Sequence, residues 1–414
     1  MTIVLNILMV KYITNLLAPD DFGQYSLIIS LTVFPQLVLF APISAAIVPL
    51  NSKFQADGDY ISLQKNVLSL FSLIVFVLVL FLSVAWAISI FPKSTFNMIL
   101  AASFFSIPLA WLTILDTFSL ANSKIKEYVI FPLINLLIKL IAVIFIMNPE
   151  VSPFQMIFIF GGVHLILCFF EHWILLKRRV LNWTPVFSIR SIFDLKSDGK
   201  RSIYNYGKNF VYWGVFGWAQ VFLDKWIISE CLGKGTVGIY TVYYLYGFLP
   251  FVILSSIISQ YVMTIYFSRS FELSNKISFV NRMLFLSVVG IVVGSVFLYF
   301  AALYFAPFFI ELFTNESYLS EISVFPFLVI AGCFYALGQI LAVPLLADDS
   351  VKSMRFPKIT TAILSVALFF VLVPSYGLNG IIMSLVVSNF FYFMSLMIIN
   401  RLRLKKMRVM GSQT

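Results

Sequence analysis

The sequence predicts an all-α membrane protein with about twelve transmembrane helices in two six-helix bundles. Hydrophobic residues make up 61% of the chain and charged residues only 11%, whereas soluble globular domains have roughly 45 to 50% and 25%. Apolar runs of about 17 to 25 residues, the length that crosses the bilayer core as a helix, recur throughout. No soluble-sized stretch separates them, so we expect neither an enzyme nor a bound cofactor.

An internal repeat relates the two predicted bundles. Its matched positions are Gly23 with Gly238, Tyr25 with Tyr240, and Pro35 with Pro250. Each pair is separated by 215 residues, about half of the 414-residue chain. Membrane transporters are often built from two such repeats around a central substrate path, so the duplication favours a transporter.

Twelve apolar segments are the predicted spans. They lie at about residues 1–17, 24–50, 67–91, 98–121, 128–147, 154–176, 205–230, 237–265, 283–310, 322–346, 357–374 and 378–400. This predicts an N-terminal bundle at 1–176, a basic linker at 177–204, a C-terminal bundle at 205–400 and a basic tail at 401–414. The first span is short and contains Lys11, from which we expect that part of the first helix is missing.

The basic residues predict the orientation of the chain. With both termini in the cytoplasm, 23 of the 28 Lys and Arg residues fall on the cytoplasmic side, and only Lys93 and Lys234 fall outside. Cytoplasmic loops carry such an excess of Lys and Arg. Basic loops near anionic lipid also account for the net charge of +10, so we expect membrane lipids as partners and no nucleic acid.

Three lysines lie within predicted spans, where a charged group is costly and usually faces a cavity or a partner. Lys139 is near the middle of the fifth span, about 16 Å from its cytoplasmic end at 1.5 Å per residue. Lys11 and Lys225 lie in the corresponding first and seventh spans. A cavity with these cations would suit an anionic cargo, above all a phosphate or pyrophosphate. The alternative is that Lys139 pairs with a buried acid.

Ion coupling has four candidate residues, Asp116, Asp224, Glu171 and His164, all within predicted spans. Buried acids are the usual coupling sites of secondary transporters, and a membrane histidine can join a proton relay. The alternative is that these groups only fix helix packing by hydrogen bonds. The three cysteines, Cys168, Cys231 and Cys333, form neither a metal nor a disulfide pattern.

The matched prolines Pro35 and Pro250 are the predicted hinges, together with Gly23 and Gly238. A proline inside a helix removes one backbone hydrogen bond and bends the helix. Membrane helices tolerate such bends where neighbouring helices or a cavity satisfy the freed carbonyl. The alternative is that these bends only fit helices together.

Three segments resemble a known transporter family. They are Leu16-Leu-Ala-Pro-Asp-Asp-Phe-Gly-Gln-Tyr-Ser, Leu120-Ala-Asn-Ser-Lys-Ile-Lys-Glu-Tyr, and Asp224-Lys-Trp-Ile-Ile followed by Val237-Gly-Ile-Tyr. They are similar to the turn after the first helix, the link between helices four and five, and the seventh helix and its turn in Wzx-type O-antigen flippases. These flippases belong to the multidrug, oligosaccharidyl-lipid and polysaccharide exporter superfamily.

This resemblance implies a flippase that moves polyprenyl-pyrophosphate-linked oligosaccharide units across a bacterial inner membrane by alternating access. It further implies a cationic lumen, proton or sodium antiport, and polysaccharide-assembly proteins as possible partners. Rival hypotheses are a drug exporter of the same superfamily, a sugar porter of the major facilitator type, and a membrane glycosyltransferase or O-antigen polymerase. The short external loops argue against the last of these.

Overall fold

A computed structural model describes residues 2–57, 59–145, 151–181, 194, 197–267, 273–347 and 351–411. Within these ranges the chain forms helices joined by short turns and contains no β-strand. The predicted all-α membrane class is therefore confirmed. The chain is helical because a helix forms all of its backbone hydrogen bonds within one segment, and the hydrocarbon core offers no water to form them instead.

The first set of helices extends to Lys177. It comprises α1 (Thr2–Leu16), α2 (Pro19–Pro35), α3 (Ala41–Ala56), α4 (Tyr60–Ala87), α5 (Lys93–Ala121), α6 (Ile125–Phe145) and α7 (Pro153–Lys177). A π-helical turn, Gln36–Phe40, joins α2 to α3, and the two continue as one span. This part of the described chain thus has six helical segments.

The second set begins after the linker. It comprises α8 (Asp198–Leu232), α9 (Lys234–Tyr243), α10 (Leu249–Phe267), α11 (Leu273–Phe313), α12 (Phe325–Ala347) and α13 (Val351–Gly411). A second π-helical turn, Tyr244–Phe248, joins α9 to α10. Gly377 interrupts α13 with a φ of 56°, a value that a residue with a Cβ rarely adopts, and so divides α13 into two passes.

Nine helices of the described chain are long and apolar enough to cross a membrane, by length and composition. One of them, Phe356–Leu402, contains the break at Gly377 and accounts for two passes. The remaining two of the twelve predicted spans are α1, whose apolar part is the short segment Val4–Leu16, and α8. Polar and charged residues are distributed along α8, which explains its lower hydropathy.

Two compact units make up the chain, Met1–Trp218 (unit 1) and Ala219–Thr414 (unit 2). Their boundary falls within α8, whereas the sequence prediction placed a linker at 177–204. α8 begins inside that predicted linker, at Asp198. Residues 182–193 and 195–196 of the linker lie outside the described residues, and the predicted tail begins as a continuation of α13.

In unit 1, α5 lies along α7, and α6 packs against both. The approach of α5 to α7 is close, because a Cβ at Gly161 would lie 2.6 Å from the Phe104 ring. Small residues allow membrane helices to approach in this way. The three helices form the interface that contains most of the predicted polar residues.

Side-chain hydrogen bonds tie together one end of unit 1, the end predicted to be cytoplasmic. Tyr60 OH and Gln64 Nε2 both donate to Val180 O, at 2.8 and 2.9 Å. Asn122 Nδ2 donates to Tyr60 OH at 2.7 Å, and Asn51 Nδ2 donates to Ala121 O at 2.9 Å. These bonds fix the ends of α3, α4, α5 and α7 relative to one another.

Candidate functional site

Lys139 lies in the interior of unit 1 against two aromatic rings. Its Nζ is 5.5 Å from the centroid of the Phe105 ring on α5 and 5.9 Å from that of Phe160 on α7. Such cation–π contacts contribute about 0.5 to 2 kcal/mol. Among the described residues no carboxylate forms an ion pair with Lys139. The α5–α6–α7 interface therefore holds a lysine whose amino group lies over two aromatic rings.

His164 lies beside Lys139. It is fully buried, its ring meets the Phe105 ring edge-on with centroids 4.6 Å apart, and it interacts electrostatically with Lys139. A main-chain atom of Phe105 is near the imidazole but outside hydrogen-bond geometry. Neither Nδ1 nor Nε2 of His164 has a hydrogen-bond partner in the described part of the chain.

Asp116 of α5 and Glu171 of α7 form a carboxyl pair. Their side chains are close enough to interact electrostatically. Two neighbouring carboxylates in an apolar interior do not both ionise. Asp116 Oδ1 and Glu171 Oε1 have no hydrogen-bond partner among the residues that the structure describes. The structure thus brings together two residues that the sequence predicted separately.

These groups occupy successive levels along α5 and α7, which run in the same direction. Phe105 meets His164, Pro108 O accepts a hydrogen bond from Cys168 Sγ at 3.0 Å, and Asp116 meets Glu171. On α7 the spacing of four and then three residues puts His164, Cys168 and Glu171 on one helical face. The polar groups therefore form a row rather than one cluster.

Sequence reasoning missed two parts of this row. Glu127 of α6 forms an ion pair with Arg178, just beyond the end of α7. Asn135 of α6 has an Oδ1 without a hydrogen-bond partner among the described residues. The signal that could have revealed both is the spacing of Glu127, Phe131, Asn135 and Lys139, which recur every four residues and share one face of α6.

Asp224 is a buried acid of unit 2. It is 1% exposed, and its carboxylate accepts hydrogen bonds from the Tyr240 hydroxyl and from the Lys225 backbone N–H, the latter at 2.7 Å. Tyr240 belongs to α9, so this pair joins α8 to the next span. Charge-assisted hydrogen bonds of this kind are roughly twice as strong as neutral ones.

Lys225 and Lys11 differ in their surroundings. Lys225 is buried, and its Nζ lies 5.4 Å from the centroid of the Phe222 ring on its own helix. Lys11 is half-buried on α1, which packs against α6. Among the described contacts, Lys11 has no aromatic partner like those of Lys139. Its predicted contact with cargo stays a prediction, as does that of Lys225.

A row of aromatic rings follows Tyr240 through unit 2. Tyr244 lies 5.9 Å from Tyr240, Phe248 lies 4.7 Å from Tyr244, and Tyr335 of α12 lies 5.4 Å from Phe248, measured between ring centroids. Tyr392 of α13 follows at 6.4 Å. These rings join α9, α12 and α13 around the second π-helical turn, a feature that sequence reasoning had not predicted.

The predicted hinge prolines lie at the π-helical turns. Pro35 directly precedes the turn Gln36–Phe40, and Pro250 lies two residues after the end of the turn Tyr244–Phe248. Gly23 and Gly238 are both buried near the starts of α2 and α9. Gln36 Nε2 donates to Ser106 O of α5 at 2.5 Å, which connects the first π-helical turn to the Lys139 interface.

Among the described residues, no group of three His, Cys, Asp or Glu side chains is placed to hold a metal ion. The cysteines lie apart as free thiols, with Cys168 buried and Cys231 exposed.

Comparison with known proteins identifies the fold. No family profile matches the chain, and no curated protein sequence matches it. An inward-facing multidrug resistance MATE transporter of the MOP superfamily has a TM-score of 0.70 and 13% identity, over 99% of this chain and 96% of that one. The lipid II flippase MurJ, in an inward closed conformation, has a TM-score of 0.74 and 16% identity, over 97% and 85%.

A third structure is a MOP superfamily transporter from Pyrococcus furiosus, described as having a binding pocket of reverse polarity that suggests a different function. Its TM-score is 0.63 with 15% identity, over 98% of this chain and 92% of that one. Identities at this level establish the fold alone. The chain therefore has the all-α polytopic fold of these multidrug and lipid II transporters.

Proposed function

We propose that the protein is a secondary transporter that flips a polyprenyl-pyrophosphate-linked oligosaccharide across the bacterial inner membrane. The observation that carries this proposal is Lys139, a cation inside a transporter fold that has no ion-pair partner among the described residues. A pyrophosphate would supply the missing anion. The similarity in fold to a lipid II flippase supports a lipid-linked cargo.

The setting of Lys139 favours a transient anionic partner. Phe105 and Phe160 stabilise the ammonium, but a cation–π contact is weaker than a charge-assisted hydrogen bond. A permanent carboxylate partner would neutralise the cation and compete with cargo. Aromatic contacts instead leave the positive charge available to each new anion.

Energy for transport would come from an ion gradient, with protons or sodium as the coupling ion. The Asp116–Glu171 pair, His164 and Asp224 are the candidate coupling groups. The carboxyl pair suits a proton in particular, because two neighbouring carboxyl groups can share one.

A drug exporter is the second candidate function, since the likeness to a multidrug resistance MATE transporter covers 99% of the chain. The two candidates differ in the charge of the cargo. An uncompensated Lys139 repels small organic cations, whereas it attracts a pyrophosphate. Export of organic cations by the purified protein, unaffected at Lys139→Ala, would favour the drug exporter.

Replacement of Lys139 by alanine tests the flippase. Loss of a charge-assisted hydrogen bond costs about 1.5 to 3 kcal/mol, or about ten- to a hundredfold in affinity. Lys139→Ala should insert normally but fail to restore surface polysaccharide in a flippase-deficient cell. Lys139→Arg keeps the charge and should recover part of the activity.

Lys177→Ala is the matched control. Lys177 lies at the end of α7, with its Nζ 5.4 Å from the centroid of the Trp173 ring, so this variant also removes a cation–π contact. It should retain activity. Full activity of Lys139→Ala at equal protein level would remove Lys139 from the cargo path.

A further inference from the structure

The α5–α6–α7 interface of unit 1 has an unusual number of unsatisfied polar atoms. Four of its residues have buried side-chain atoms without a hydrogen-bond partner among the described residues: Asp116 Oδ1, Asn135 Oδ1, Glu171 Oε1 and both ring nitrogens of His164. A polar atom that is buried without a hydrogen-bond partner destabilises the fold. Because four such residues lie in one three-helix interface, we expect a common ligand that forms hydrogen bonds with all of them.

The spacing of these groups indicates what that partner is. His164 and Glu171 are seven residues apart on α7, about 10 Å along the axis at 1.5 Å per residue. Asn135 lies four residues from Lys139 on α6, about 6 Å along that axis. These gaps exceed a direct hydrogen bond of about 3 Å but match chains of one to three water molecules.

Burial differs along the row in a way that suits internal water. His164 and Glu171, at the two ends of the row, are 0% and 1% exposed. Asp116, Asn135 and Lys139 are each half-buried. The unpartnered side-chain atoms are all buried, so water bound to them would be internal.

We propose that the α5–α6–α7 interface holds a file of internal water that connects the Asp116–Glu171 pair through Asn135 to His164 and Lys139. Its ligand is water, hydrogen-bonded to carboxyl, amide and imidazole groups. Internal waters typically make about three hydrogen bonds each to such buried polar atoms. The file would let a proton move between the carboxyl pair and the level of Lys139; this second role rests on the proposed transport, whereas the water file does not.

Other ionisable groups near the row sit towards its ends. Glu127, eight residues before Asn135 on α6, forms an ion pair with Arg178. The helices packed against α5, α6 and α7 contribute Lys11 and Tyr12 of α1, Asp20, Asp21 and Tyr25 of α2, Lys53 of α3, and Tyr60 and Lys65 of α4. Asp20, Asp21, Lys53 and Lys65 are exposed, and Tyr60 donates to Val180 O. None of these four exposed groups supplies the missing partners.

Cys168 provides an internal probe of this file. It lies on α7 between His164 and Glu171 and is buried. In radiolytic footprinting, hydroxyl radicals formed from bound water oxidise the side chains next to that water. Met156 is the control, because it is a fully buried sulfur side chain on the same helix that lies outside the row. In the full chain in lipid nanodiscs, Cys168 should be oxidised several-fold faster than Met156.

Substitution of Asn135 sharpens the test. Asn135→Leu removes a polar atom from the middle of the row and should lower the oxidation rate of Cys168 towards that of Met156. Asn97→Leu makes the same exchange at an exposed position of α5 and should leave the rate unchanged. Equal rates for Cys168 and Met156 in the unsubstituted protein would overturn the water file, whatever the behaviour of the variants.

A second measurement addresses proton movement. Glu171→Gln keeps the polarity of the row but removes the shared proton, so Cys168 should remain readily oxidised. In proteoliposomes with a lipid-linked saccharide, the rate of transport driven by a proton gradient should be at least tenfold lower for this variant than for the unsubstituted protein. Rapid oxidation of Cys168 with unaffected proton-driven transport would confirm the water file and reject its coupling role. Absence of any saccharide transport by the unsubstituted protein would reject the proposed function and leave the footprinting result standing.

Discussion

At the residue scale, Asp224 shows how the two repeats have diverged. The offset of 215 residues that relates Tyr25 to Tyr240 relates Met9 to Asp224. A methionine cannot accept a charge-assisted hydrogen bond as the carboxylate of Asp224 does from Tyr240. The repeat has therefore kept the tyrosine in both units but paired it with a buried acid in unit 2 only.

Tyr240→Phe should destabilise the protein. The substitution removes the hydroxyl that donates a hydrogen bond to one carboxylate oxygen of the buried Asp224. The loss should lower the free energy of unfolding by about 1 to 3 kcal/mol. A lower midpoint of thermal unfolding in detergent would show this effect. Tyr304→Phe, at an exposed position of α11, should leave the midpoint unchanged. Equal midpoints for both variants would mean that water replaces the lost donor.

At the element scale, each repeat interrupts its second span with a π-helical turn. Ala41 N–H donates to Gln36 O and Leu249 N–H donates to Tyr244 O, both across five residues. The two turns differ in position: applying the repeat offset to Gln36–Phe40 gives residues 251–255, seven residues after the observed second turn. The matched prolines therefore flank the turns from opposite sides. π-helical turns within α-helices frequently mark functional sites.

Neighbouring helices approach these turns closely. A Cβ at Gly214 of α8 would lie 2.3 Å from Leu37 O in unit 1, and a Cβ at Gly332 of α12 would lie 2.7 Å from the Phe251 ring in unit 2. Trp218 Nε1 also donates to Ser30 O of α2 at 2.7 Å. The helix that contains each turn is thus held by partners that fit its irregular backbone.

Combined replacement of Pro35 and Pro250 by alanine should slow transport without preventing insertion. Alanine restores the backbone N–H and permits regular α-helix where the bend now lies. Restoration of surface polysaccharide in a flippase-deficient cell measures the effect. Pro307→Ala, within α11 and outside both turns, is the control and should transport normally. Unchanged transport by the double variant at normal expression would make both prolines packing features.

At the scale of the whole molecule, the basic residues predict which side of the membrane each turn faces. Lys65 and Arg201 are exposed near the starts of α4 and α8, and Lys93 and Lys234 are exposed at the starts of α5 and α9. In chain order the residues are Lys65, Lys93, Arg201 and Lys234, so members of the two pairs alternate. This is the order expected if each residue lies on the opposite side of the membrane from the one before it. The first pair should be cytoplasmic and the second periplasmic.

Thiol labelling in intact cells tests this orientation. Cysteines introduced at Lys65, Arg201 and Arg401 should react only with reagents that enter the cytoplasm, whereas the native exposed Cys231 should react with an impermeant reagent from outside. Lys200 is a poor site, because it is 3% exposed and its Nζ donates to Asp194 O at 2.8 Å. Periplasmic labelling at any of the three introduced cysteines would reverse the predicted topology.

The sequence by itself determined the all-α class, about twelve passes and a repeated organisation. Apolar segments of about 17 to 25 residues leave the backbone no alternative to helices in hydrocarbon, so local composition suffices for this inference. It also identified Lys139, Asp116, Glu171 and His164, because an ionisable group within an apolar run stands out without any knowledge of its neighbours.

Only the tertiary structure decided how these residues combine. The pairing of Asp116 with Glu171, the position of Lys139 between Phe105 and Phe160, and the pairing of Asp224 with Tyr240 all depend on which faces of separate helices meet. The apolar faces of membrane helices look alike in sequence, since lipid and protein interior are equally apolar. Helix rotation and pairing are therefore fixed by packing and hydrogen bonds between distant segments.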